Sequence, residues 1–358
     1  MWNNRITELL KIRYPFVQAP MLGFTTPEMV AAASNEGWMG SLPLGLMSKE
    51  EAGELITKTK QLSHAPFGVN IFSYSPLPVG PDRSANFLKS YYARNGVGFP
   101  DLPAGEPYPS YEALLDLIIG EKIPAVSFTF GIPSTAFISE LKKNHTVLMG
   151  VATCSQEAKL LQKAGMDVVI AQGIEAGGHR GSFIEGKIPA VGLVSLLPQI
   201  IDSVSIPVIA AGGLSEGRSI AAAFVLGAEG VQVGSAFLRS HESAASQVHK
   251  DILPTLDDRS TEITNAWTGR FARMVSNRFM EEIPPGEILH YPYQNYMTSF
   301  LRRFGKLKER AEIQTLYAGQ SAKYALGESV ADIIKNLTSE TEKVLESAGM
   351  IYRGPGAC

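Results

Sequence analysis

Val168-Val169-Ile170-Ala171-Gln172-Gly173-Ile174-Glu175-Ala176-Gly177-Gly178-His179-Arg180-Gly181 is an apolar run that passes directly into a glycine-rich loop carrying one histidine and charged neighbours. The apolar half reads as a buried strand, and the loop at such a strand's end is where parallel α/β proteins place chemistry. Glycines let backbone N–H groups approach an anion or a flat ring closely, and histidine exchanges a proton near neutral pH.

Working outward, similar runs recur, each bounded by Gly, Pro or Asn and followed by a helix-like segment. They are Phe16-Val17-Gln18-Ala19, Trp38-Met39-Gly40-Ser41-Leu42, Phe67-Gly68-Val69-Asn70-Ile71, Ala125-Val126-Ser127-Phe128-Thr129, Thr146 to Val151, Val168 to Gln172, Pro207 to Ala211 and Gly230 to Gly234. Helix starts are marked by Thr26-Pro27-Glu28, with proline in the first turn, and by Ser155-Gln156-Glu157. Strand and helix in alternation imply a parallel sheet, and eight repeats predict a closed (β/α)8 TIM barrel of the α/β class. An open doubly wound sheet is the alternative, but no G-x-G-x-x-G run follows the first strand.

Two regions break the rhythm. Residues 73 to 110 are rich in Pro, Gly, Ser and Tyr and read as an excursion above the barrel mouth, a candidate lid. Residues 240–310 become helical and charged, and are expected to form a small helical second domain inserted after the eighth strand; residues 1–239 and 311–358 make the barrel.

The chain has 358 residues, 45% hydrophobic and 19% charged, with a net charge of -3. Nothing in that balance gathers nucleic acid or anionic lipid. Two cysteines, Cys154 and Cys358, give neither a disulfide framework nor metal-ligand spacing, so no metal is expected and a reducing, cytoplasmic setting fits best. No signal-peptide core or bilayer-length apolar run is present. Oligomeric state leaves no legible mark.

Gly177-Gly178, Gly212-Gly213 and Gly234-Ser235 follow the sixth, seventh and eighth barrel strands. Each pair alone reads as turn chemistry; at three strand ends side by side they describe a phosphate cradle built from backbone N–H groups and the Ser235 hydroxyl. At the opposite strand ends, Ala19-Pro20-Met21-Leu22-Gly23 offers an apolar wall and Asn70 an amide for the edge of a heteroaromatic ring. Ring plus phosphate suggests flavin mononucleotide (FMN). His179, past a strand end among glycines, is the candidate catalytic residue, either a base or a cation holding an anionic substrate. His64, His145, His241, His249 and His290 read as ordinary satisfied histidines, Glu175 and Arg180 as either partners that support His179 or halves of a surface ion pair with no catalytic role, and Cys154 as a structural thiol.

At these residues the sequence resembles the nitronate monooxygenases, formerly called 2-nitropropane dioxygenases. The matching stretches are Gln18-Ala19-Pro20-Met21, Phe67-Gly68-Val69-Asn70, Gln172 to Gly181, Ala210-Ala211-Gly212-Gly213, Gln232-Val233-Gly234-Ser235 and Ala318-Gly319-Gln320-Ser321, with Glu-Ala-Gly-Gly-His-Arg-Gly the most specific. The resemblance implies an FMN-containing barrel that oxidises alkyl nitronates such as propionate 3-nitronate with O2 and without NAD(P)H. It implies FMN contacts at Met21, Leu22, Asn70, Gln172, Gly177, Gly213, Gln232, Val233, Gly234 and Ser235, further ones at Gly319 and Gln320, and His179 as the active-site histidine. Where the family often has tryptophan two residues before that last glycine, this chain has Tyr317.

The nearest alternative is an FMN-dependent NAD(P)H oxidoreductase of the same superfamily, of the enoyl-acyl-carrier-protein reductase or quinone reductase type, which resembles the chain at the same glycines and histidine. More distant alternatives are a flavin-binding barrel without turnover and a sugar-phosphate isomerase or aldolase. The expected partners are a small nitronate and O2, not nucleic acid or membrane.

Overall fold

Each of the eight apolar runs forms a strand of one parallel sheet in the computed structural model, which describes residues 2–74, 85–103, 105–184 and 186–349. In chain order the strands are β1 (Phe16–Gln18), β2 (Ser41–Pro43), β3 (Gly68–Phe72), β4 (Ala125–Thr129), β5 (Val147–Ala152), β6 (Val168–Gln172), the short β7 (Gly178–His179), β8 (Val208–Ala211), β9 (Gly230–Val233), β10 (Thr261–Thr264) and β11 (Ala272–Val275). The eight-stranded sheet runs β1-β9-β8-β6-β5-β4-β3-β2. Its two ends meet where the Gln18 N–H donates to Met39 O and the Met39 N–H donates to Phe16 O, both at 2.9 Å. The result is the expected TIM barrel.

The period-2 alternation of a strand divides its side chains between the barrel interior and the helical layer. Val17, Met39, Ala125, Met149, Val168, Ile170 and Ile209 pack together inside. Ile6 and Leu10 of the helix Arg5–Leu10 join them from the N-terminal end of the strands, beside Glu229 just ahead of β9. The alternate residues Val69, Val126, Leu148, Val169, Val208, Val231 and Val233 belong to the outer core with the helices. Val330–Ser347 lies against Gly217–Val225 and Pro27–Asn35, so the end of the described chain returns to the outer layer.

A second apolar cluster sits apart from the barrel. It joins Leu88, Tyr91 and Tyr92 of the helix Asn86–Arg94 to Trp267, Met274, Phe279, Met297, Leu301 and Ile313. The 73 to 110 excursion and the segment after β9 therefore share one core; residues 75–84 of that excursion, residue 104 and Cys358 lie outside the described residues. The segment read as helical contains β10 and β11 as well as the helix Tyr293–Leu307. β11 pairs antiparallel with β10 on one side and with β7 on the other, Ala272 opposite His179 and Arg273 opposite Gly178. The loop read as the centre of chemistry is thus the edge strand of a small sheet.

Candidate active site

Alternation decides which residues reach the C-terminal mouth of the barrel. Because Val168 and Ile170 point inward, Gln172 does too, and the same phase brings Asn70, Ser127, Thr129 and Gln232 to a cavity of about 340 Å³. Met21, Leu22, Asn70, Gln172, Gly177, His179, Gly213, Gln232, Gly234, Ser235 and Gly319 all line it. Two expected contacts do not. Val233 follows an inward Gln232, so its side chain faces the helical layer, fully buried, and its carbonyl accepts the Ala19 N–H at 2.8 Å. Gln320 is exposed and its N–H is spent on the Glu175 carbonyl at 3.0 Å.

The loop after β6 is shaped by its own polar side chains. Gln172 spans it, its Nε2 donating to His179 O at 3.0 Å and its Oε1 accepting the Gly181 N–H at 2.9 Å. The buried Arg180 guanidinium donates to the Gly173 and Gln172 carbonyls at 2.6 and 3.0 Å. Glu175 Oε1 accepts the Leu193 N–H at 2.8 Å and so ties the loop to the next helix. Glu175 and Arg180 thus clamp the loop, and the surface ion pair that is one reading of them does not form among the described residues, because Arg180 is buried and spends its guanidinium on carbonyls. Gly178, at φ 76°, makes the left-handed step that lets the following histidine enter the small sheet.

His179 Nε2 lies 2.9 Å from Thr268 Oγ1, and its ring stands edge-on to Phe130 at 5.5 Å and beside Tyr317 at 5.6 Å. Burial first, then the Arg270 and Arg302 cations, push its pKa down to about 3. The imidazole is therefore neutral at physiological pH and suited to taking a proton. Cys154 is the reverse of a nucleophile: burial pushes its thiol above the ordinary value.

The glycines that line the same cavity form a nest. Gly212 and Gly213 adopt φ 108° and 73°, and among the described residues the N–H groups of Gly213, Gly234 and Ser235 donate no hydrogen bond. Ser235 Oγ accepts the Gly319 N–H at 3.0 Å, which leaves its own proton to donate. A Cβ on Gly177 would sit 2.5 Å from Gly319 N, so the two loops can meet only as glycines. Unused N–H groups converging beside a hydroxyl suit a phosphate. Across the cavity Asn70 Nδ2 is committed to Ser127 and Thr129, at 2.9 Å and 3.1 Å from their hydroxyl oxygens, which directs its Oδ1 to accept from a ligand. These residues fit a flat heteroaromatic ring bearing a phosphate; no cluster of three potential metal ligands occurs among the described residues.

Tyr291, Asn295 and Arg302 also line the cavity, and sequence reasoning named none of them. The signal was faint: Asn295 and Arg302 stand seven apart, two turns on one face of the helix Tyr293–Leu307. Arg302 donates to the Asn295 carbonyl and amide oxygens at 2.7 and 2.8 Å, and no carboxylate pairs with it among the described residues.

Residues 3–340 match the family model for nitronate monooxygenase. A probable nitronate monooxygenase of Staphylococcus aureus (strain MSSA476) is 40% identical over 354 residues, covering 97% of this chain and 99% of that protein. The solved nitroalkane oxidase from Streptomyces ansochromogenes is similar with a TM-score of 0.90 and 35% identity, over 96% of this chain and 99% of that one. FabK from Thermotoga maritima is similar with a TM-score of 0.77 and 31% identity, over 98% and 99%. No helix among the described residues is long and apolar enough to cross a membrane. Both the barrel and the region above its mouth fall within these matches, and the chain belongs to the nitronate monooxygenase family of oxidoreductases.

Proposed function

We propose that the protein is an FMN-dependent enzyme of the cytoplasm that oxidises alkyl nitronates with O2, giving a carbonyl compound and nitrite or nitrate, and needs no NAD(P)H. The observation that carries this reading is one cavity lined both by His179, whose imidazole burial pushes toward the neutral form, and by a nest of unused N–H groups. Gly213, Gly234 and Ser235 would hold the phosphate, and Asn70 a ring N–H. FMN, when bound, supplies the acceptor for the substrate's electrons.

The chain's own part is proton handling and electrostatics. A nitronate arrives already deprotonated and needs no base; where its neutral nitroalkane form enters instead, Nδ1 of His179 takes the α-proton and leaves the nitronate in place. Arg302 and Arg270, the cations that depress the imidazole, also favour the anion so formed. A histidine cation holding that anion would have to form against the same two charges. Met21, Leu22, Tyr291 and Tyr317 narrow the space open to water.

Oxygen uptake by the FMN-loaded protein, with propionate 3-nitronate or longer alkyl nitronates and with or without NADH, tests the reading. Uptake with a nitronate, unaffected by NADH and accompanied by nitrite or nitrate, is expected. Uptake that requires NADH would instead make the protein an NAD(P)H oxidoreductase, and bound FMN without uptake a non-catalytic barrel.

A further inference from the structure

The two ring nitrogens of His179 have unequal surroundings, and the difference traces to one hydroxyl. Thr268 is 1% exposed, and its Oγ1 lies 2.9 Å from both His179 Nε2 and Arg270 O. A threonine hydroxyl has one proton. Given to the Arg270 carbonyl, that proton leaves the oxygen with lone pairs only, and it accepts the Arg270 N–H at 3.3 Å on the same side of the turn. The contact with His179 then requires a proton on Nε2, while Nδ1 meets no hydrogen-bond partner among the described residues and the side chain lines the cavity.

We infer that Thr268 is a positioning residue that fixes His179 as the Nε2–H tautomer and leaves Nδ1 as the proton acceptor facing the substrate.

The turn bearing Thr268 is itself held from several sides. The Thr298 hydroxyl donates to Trp267 O at 2.5 Å, and Arg270 Nη1 donates to Ser182 O at 3.2 Å. Gly269, at φ 80°, lies so close to Leu289 O that a Cβ would sit 2.5 Å away. From the other side, His179 is held through its backbone, opposite Ala272 in β11. Among the described residues, Phe130, Tyr291 and Tyr317 flank the ring and the Arg270 and Arg302 charges act on it, and none of these five hydrogen-bonds it. Among the described residues, Thr268 is therefore the group that sets which nitrogen carries the proton.

The consequence for rate rests on the proposed role of His179 as a base; the tautomer does not. The test is a long-range proton–nitrogen correlation spectrum of the purified protein carrying isotope-labelled histidine, with the His179 signals assigned by their loss in His179→Asn. The wild type is expected to show a protonated Nε2 and an unprotonated Nδ1. Thr268→Val should shift the Nε2–H to Nδ1–H ratio toward Nδ1–H by about five- to tenfold, and Thr268→Ser should restore it. A wild-type Nδ1–H signal, or a wild-type tautomer ratio in folded Thr268→Val, would overturn the inference, and the wild-type spectrum decides even if that variant does not fold. An Nε2–H signal in a protein without nitronate turnover would sink the proposed function and leave the inference standing.

Discussion

Replacing His179 with asparagine should flatten the acid side of the protein's stability curve. In the folded state burial and the two arginines hold the imidazole near pKa 3, against an ordinary 6.5 once the chain unfolds. Below 6.5 the unfolded chain takes up a proton that the folded one refuses. Stability is therefore lost as pH falls from 6.5 toward 3, and no further loss comes from this residue below that. At about pH 5 the cost is roughly 2 kcal/mol, one and a half pH units at about 1.4 kcal/mol each. Urea denaturation of wild type and His179→Asn at about pH 7.5 and pH 5 measures it. The loss of stability between the two pH values should be smaller in the variant by about 2 kcal/mol. Equal losses in the two proteins would mean that the folded imidazole charges freely, and the neutral-base reading would fail with it.

Gly177→Ala places a Cβ 2.5 Å from Gly319 N and 2.7 Å from the Ala318 carbonyl carbon, so the two loops of the nest must separate. FMN affinity should fall by about ten- to a hundredfold in a fluorescence titration, since overpacking of this kind costs ~1–3 kcal/mol; an unchanged affinity would remove the nest from the cofactor site. Arg180→Met deletes two charge-assisted hydrogen bonds to the Gly173 and Gln172 carbonyls and should cost ~3 kcal/mol, read as a lowered urea midpoint. Cys154, with its thiol pKa raised by burial, should react with iodoacetamide near neutral pH more slowly than a free cysteine model peptide; faster reaction would contradict the structural role.

The barrel was legible because each of its strands is a short apolar run that a helix follows, and β4 and β6 begin and end where the sequence suggested. The small sheet was not. β7 has two residues within a glycine loop that reads as a turn, and β10 and β11 carry Thr261, Glu262, Thr264 and Arg273 in place of a short apolar run. At the site, glycines and the histidine announce themselves by type, and alternation within β9 would have separated Gln232 from Val233. Asn295 and Arg302 left only the faint mark of their seven-residue spacing, and Thr268 meets His179 across 89 residues of chain. Spacing carries no trace of such a contact.

Rapid mixing without oxygen tests the proposed chemistry most directly. FMN-loaded protein mixed with an alkyl nitronate should lose flavin absorbance, and the same protein mixed with NADH or NADPH should keep it. Loss of absorbance with NADH or NADPH and none with the nitronate would contradict nitronate oxidation and place the chain among the NAD(P)H oxidoreductases.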